Sequence, residues 1–159
     1  MSAQLKNDSP LGLGSVLVGS LPPTLMTDDA PDRYTVEAVF TRQADRDEAA
    51  AIHDGATRDH LTSSGFPTVE LRVSDRRLEI ANTNLEELRD GLATVIADHL
   101  AAISLALRAE RELAALRFSE ATELEQRRAA AVADLAESVV FSRPAHPAAH
   151  DAIVASGPR

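Results

Sequence analysis

From residue 68 to residue 143 the chain contains no proline, and Gly91 is its only glycine after Gly65 in that span. No other feature limits the fold as strongly, because these two residues are the ones that end or kink helices. Thr83 with Glu86 forms a capping box at the start of the tract. Leu85, Leu88, Leu92, Val95/Ile96, Leu100, Ile103 and Leu107 then recur at the helical period. One straight helix over 84–141 would be about 87 Å long, far more than a small domain is wide, so it must bend back or protrude. The stripe blurs between Ala109 and Ser119, and Thr122 with Glu125 offers a second capping box. The expectation is two helices, about 84–117 and 121–140, in a bent or broken helical hairpin.

Upstream the period changes from helix to strand. Over 34–41, Tyr34, Val36, Ala38 and Phe40 alternate with Thr35, Glu37, Val39 and Thr41, which marks a half-buried strand. The segments 68–74 and 77–81 alternate in the same way around the polar turn Ser74-Asp75-Arg76, so they form a hairpin. Asp45 with Glu48 caps a helix over about 45–63, which Gly65 and Pro67 stop; its apolar stripe is only Ala49, Ile52, Ala56 and Leu61. The fold class is α+β: a three-stranded sheet in the order strand, helix, strand, strand, covered on one face by helices. The right-handed crossover rule favours the first two strands lying parallel, with the third antiparallel between them. Residues 98–107 are apolar around most of the helix, so Leu92, Ile96, Leu100, Ile103 and Leu107 are the expected packing and oligomer contacts, with a second subunit completing their cover.

The first 33 residues read as a flexible docking arm before a domain over 34–141, and 142–159, rich in Ala, Pro and His, as a disordered tail. The arm carries the apolar run Leu11-Gly-Leu-Gly-Ser-Val-Leu-Val-Gly-Ser-Leu21, broken by glycines and ended by Pro22-Pro23. Leu11, Leu13, Val16, Leu17, Val18, Gly19, Ser20 and Leu21 are too few for a core and are assigned to docking on a partner.

Composition narrows the function. With 25 acidic and 16 basic residues the net charge is −9, which opposes binding to a phosphate backbone, so nucleic acid is not an expected partner. No cysteine is present, which removes thiolate sites and disulfides and suits a cytoplasmic location. The most apolar window, 91–107, is interrupted by Asp98 and His99 and falls short of a bilayer span, so membrane insertion is not expected. An export signal at the run would have Lys6 nearby but lacks an A-x-A cleavage site.

Chemistry-bearing patterns are sparse. His53 and His60 share a helix and His99 is able to approach them, a constellation that would suit a small enzyme or ligand-binding cleft; the spacing matches no standard zinc pattern. His146 and His150 lie between prolines that oppose a helix. Glu110, Glu112, Glu120, Glu123 and Glu125 lack the Glu-x-x-His partner of an iron-carboxylate bundle, and Glu123 with Arg127 is spaced for an ion pair. No phosphate loop, nucleophile elbow or dinucleotide fingerprint is present. No metal or cofactor is implied.

Leu17-Val18-Gly19-Ser20-Leu21, with an imperfect copy in Leu11–Ser15, resembles the cargo-loading peptides of encapsulin nanocompartments, which often read L-x-V-G-S-L. Pro22-Pro23 stands where those peptides usually carry a basic residue. The resemblance implies an extended peptide docking on the inner wall of a shell. The overall expectation is a non-enzymatic structural or adaptor protein that forms a homo-oligomer through its long helix and docks into a larger protein assembly. A His-containing enzyme or binding domain, and a cargo protein of an encapsulin-type shell, are the alternatives.

Overall fold

A computed structural model describes residues 9–142. The expected tail beyond Ser142, with His146 and His150, and the first eight residues therefore lie outside the described residues. The chain divides into two compact units, one up to Leu113 and one from Ala114.

The first unit is α+β. Its strands are β1 (Leu13–Val16), β2 (Tyr34–Phe40), β3 (Glu70–Ser74) and β4 (Arg77–Thr83), ordered β1-β2-β4-β3, with every neighbouring pair antiparallel. β4 therefore lies between β2 and β3, which run in the same direction, as the crossover argument predicts. In β2, Val36, Ala38 and Phe40 are buried while Thr35, Glu37 and Val39 on the opposite face are exposed or half-buried. Leu78 and Ile80 of β4 continue the buried face. Asp75 takes a left-handed backbone (φ 57°) in the tight β3–β4 turn, which an aspartate tolerates better than most residues.

Two expectations need correction here. The sheet has four strands, because the apolar run before Pro22 supplies β1 and pairs with β2 at Leu13↔Phe40 and Val16↔Ala38. Described residues of the expected flexible arm are thus built into the domain. The second correction concerns the helix over 45–63, which is two helices: α1 (Arg46–Ile52) and α2 (Gly55–Ser63). The Asp45–Glu48 capping box forms at the start of α1. The chain breaks at His53-Asp54, and the Thr57 hydroxyl donates back to the Ala51 carbonyl (2.9 Å) to seal the corner. Gly65, at φ 97°, takes the left-handed conformation that ends α2.

The long helical tract also differs from its expected form. It begins as a single turn, α3 (Leu85–Glu87), capped by the Asn84 side chain. A wide π-type turn over Leu88–Leu92 follows, where the backbone leaves helical geometry at Gly91 (φ 160°, ψ −32°). From there α4 runs unbroken from Ala93 to Glu137. The one irregularity therefore falls at the one glycine, and the expected break near residue 119 does not occur. The Thr122 hydroxyl donates to the Phe118 carbonyl four residues back (2.8 Å), the usual behaviour of a threonine inside a helix. Leu92, Ile96 and Leu100 are fully buried and join Leu11, Val36, Phe40, Ile52, Leu61, Leu78 and Ile80 in one core.

Candidate functional site

The residues assigned to docking divide into two groups. Leu11 is only 1 % exposed, and Leu13 and Leu21 pack partly buried against the same core. Val16, Val18, Gly19 and Ser20 stay exposed, and Leu17 is half-buried. Leu11 is held by more than packing, since its backbone N–H donates to the Ser104 hydroxyl at 2.8 Å.

Ser104 belongs to a buried polar node that sequence reasoning missed. Its hydroxyl donates to Glu48 Oε2 at 2.6 Å while accepting from Leu11. Arg42 grips both oxygens of the same carboxylate through two bonds of 2.7 Å, and the Asp45 N–H donates to Oε1 at 3.0 Å. Glu48 is 2 % exposed, yet each of its oxygens accepts two bonds. Burial alone would raise this carboxyl, but the bonds from Arg42, Ser104 and Asp45 outweigh it and bring it down to about 2. The only sequence trace of the node is the capping box, which marks Glu48 as useful but not as buried. This cluster ties α1, α4 and the start of β1 together, and every acceptor in it is occupied, so its role is structural.

The residues assigned to helix packing meet the chain's own sheet. Leu92, Ile96 and Leu100 are buried there, Ile103 packs partly against the core, and Leu107 is half-buried. Leu92, Ile96 and Leu100 are therefore core residues of this chain, while Ile103 and Leu107 keep part of their surface outside it.

Two of the three domain histidines do come together. The rings of His60 and His99 stack 4.6 Å apart, and His99 Nε2 lies 2.8 Å from the Thr57 hydroxyl. Because Thr57 already donates to Ala51, it accepts from His99. His53 stands apart, its Nε2 accepting the Val73 N–H at 2.9 Å on the outer edge of β3. A cleft of about 400 Å³ is lined by His53, Asp54, Arg58, Glu70 and Arg72, with neither His60 nor His99 on its wall. Among the described residues no group of three His, Asp or Glu is placed to hold a metal ion.

Burial, and then the neighbouring His60, push the His99 pKa below its ordinary 6.5. The unfolded chain therefore binds a proton more readily than the folded one. Stability contributed by neutral His99 is complete above about pH 6.5 and declines as pH falls below it. Urea midpoints measured from about pH 7.5 to about pH 5.5 should fall, and His99→Gln should flatten that slope. An unchanged slope in the variant would refute this role for His99.

The second unit offers a different surface. On α4 from Ala114, the side chains of Phe118, Ala121, Leu124, Val132 and Leu135 fall on one face at the helical period, and Ser119, Glu120, Glu123, Gln126, Asp134 and Glu137 fall opposite. Phe118 is 75 % exposed, Leu124 67 % and Leu135 70 %. On the polar side Glu123 meets Arg127 at 3.9 Å, as its spacing predicts. Between Phe118 and Leu135 this face is interrupted by Glu125 and Arg128, bonded at 2.7 Å, and Arg117 borders it one turn before Ala121. By length and composition the helical tract over Leu85–Glu137 also contains a window apolar enough to cross a bilayer.

No protein-family model, no curated protein and no solved structure matches this chain.

Proposed function

We propose that this is a non-enzymatic structural or adaptor protein that self-associates through its long helix. One observation carries the reading: in the helix from Ala114 to Glu137, Phe118, Ala121, Leu124, Val132 and Leu135 share one face, and all five are exposed among the described residues. An isolated helix gains little stability from propensity alone, and an amphipathic one reaches its full stability when the apolar face is packed. A separate contribution to docking on a larger assembly comes from Val16, Val18, Gly19 and Ser20, the exposed part of the N-terminal run. Docking of Leu17–Leu21 as an extended peptide, the shell-cargo mode, would require the helical turn over Val18–Ser20 to open and Leu21 to leave its packing against the core.

Sedimentation of the full-length chain across a concentration series tests the association. The expected result is a species of at least two copies, and Leu124→Lys with Leu135→Lys should raise its dissociation constant by roughly a hundredfold or more. Both positions are solvent-exposed, so thermal unfolding of the α+β unit should be unaffected. A wild-type chain that remains monomeric at about 100 μM, weaker than a useful protein contact, would sink the proposal.

A further inference from the structure

Along the seam from Phe118 to Leu135 the charges are Glu125 and Arg128, and they are self-complementary in one orientation. Phe118, Ala121, Glu125, Arg128, Val132 and Leu135 follow one another at alternating spacings of three and four, the pattern of a coiled-coil seam. Around the point midway between Gln126 and Arg127 the series is symmetric in position and complementary in chemistry. A second copy running antiparallel about that point sets Phe118 against Leu135, Ala121 against Val132, and Glu125 against Arg128. Each layer then matches large with large, small with branched, or acid with base. A parallel copy sets Glu125 against Glu125 and Arg128 against Arg128, leaving like charges on the seam.

We infer that the occupant of this face is a second copy of the chain, docked antiparallel over residues 118–135, with two reciprocal Glu125–Arg128 pairs at its centre. This rests on the self-association proposed above and adds its direction and register. Within one chain Glu125 and Arg128 already bond at 2.7 Å with side chains 63 % and 64 % exposed. Docking a copy places a second pair of opposite sign beside them and closes a four-charge cluster between two apolar layers. Such a polar layer sets register and direction more than affinity.

The chain has no cysteine, so introduced thiols report on orientation without background. Full-length Phe118→Cys and Leu135→Cys proteins are mixed and mildly oxidised, and the crosslinked species are separated by mass. Antiparallel docking brings residue 118 of one copy to 135 of the other, while like residues stay about 25 Å apart. The mixed dimer should exceed either like dimer by about tenfold or more, given that separation. Like dimers in equal or greater amount would overturn the antiparallel register while leaving helix association intact. Absence of any crosslink, with a monomeric mass before oxidation, would overturn the association itself. Charge exchange gives a second reading. Glu125→Arg and Arg128→Glu should each weaken the dimer about tenfold or more, and the double exchange should restore it, as expected for close charge pairs. Single variants that associate like the wild type would refute the pairing.

Discussion

Replacing Glu48 with glutamine is expected to destabilise the folded chain by about 3 kcal/mol at neutral pH, the order found when one partner of a buried ion pair is removed. The amide keeps the shape of the carboxylate but not its charge. Arg42, whose side chain is 12 % exposed, keeps at most one bond, to the amide oxygen, and meets an NH2 donor where the second carboxylate oxygen stood. The effect should also depend on pH in a specified sense. The carboxyl lies at about 2 in the folded protein against an ordinary value of 4.5, so it favours folding only where the unfolded chain would also have lost its proton. Its contribution is complete above about pH 4.5 and is lost as pH falls toward 2. Denaturant midpoints of wild type and Glu48→Gln should therefore differ most above about pH 5 and converge near pH 2. Parallel curves over that range would show that the carboxylate is not held as the geometry describes.

Leu11→Ala is expected to cost about 2–4 kcal/mol, the range for truncating a fully buried leucine. Val18→Ala, seven residues on and 76 % exposed, should change stability by less than about 0.5 kcal/mol. The contrast decides between two pictures of the N-terminal run. A flexible arm would give near-zero values at both positions, whereas an edge strand anchored by the residue just ahead of it gives one large value and one small one. Denaturant unfolding of the two full-length variants measures the difference directly.

The elements that were legible in the sequence are those whose local pattern and tertiary role agree. β2, β3 and β4 alternate cleanly because each has one face on the core. The leucine stripe from Leu85 to Leu107 keeps its period because the same sheet selects it. β1 was not legible, since Gly12 and Gly14 erase the alternation and only Leu11, just before the strand, is fully buried. An apolar run too short to form its own core looks like a docking peptide until a sheet with an open edge is in view. The Thr122–Glu125 pattern misled for another reason. A threonine followed by glutamate three residues later caps a helix only where the chain enters one, and in a helix already formed the same hydroxyl turns back to its own carbonyl. Ser104 gave no signal because a small hydroxyl within an apolar stretch is ordinary until Glu48 and Leu11 are placed around it. Of the candidate site, helix spacing joined His53 to His60, but the structure stacks His60 on His99 and holds His53 at the edge of β3, because the helix between His53 and His60 is broken. The exposed face beyond Ala114 was hidden by the expectation of a helical hairpin that would have covered it.

The bond from Leu11 to Ser104 joins residues 93 positions apart. During synthesis the first strand is made early and its anchor late, and at typical elongation rates about 5–20 s separate the two. For most of that interval Leu11 lacks the part of its core that the long helical tract supplies, Leu92, Ile96 and Leu100. The Ser104 anchor just ahead of the sheet's first strand therefore awaits the long helix. A strand made early thus gains this anchor late, and for those seconds its open edge is exposed to pairing with other nascent chains.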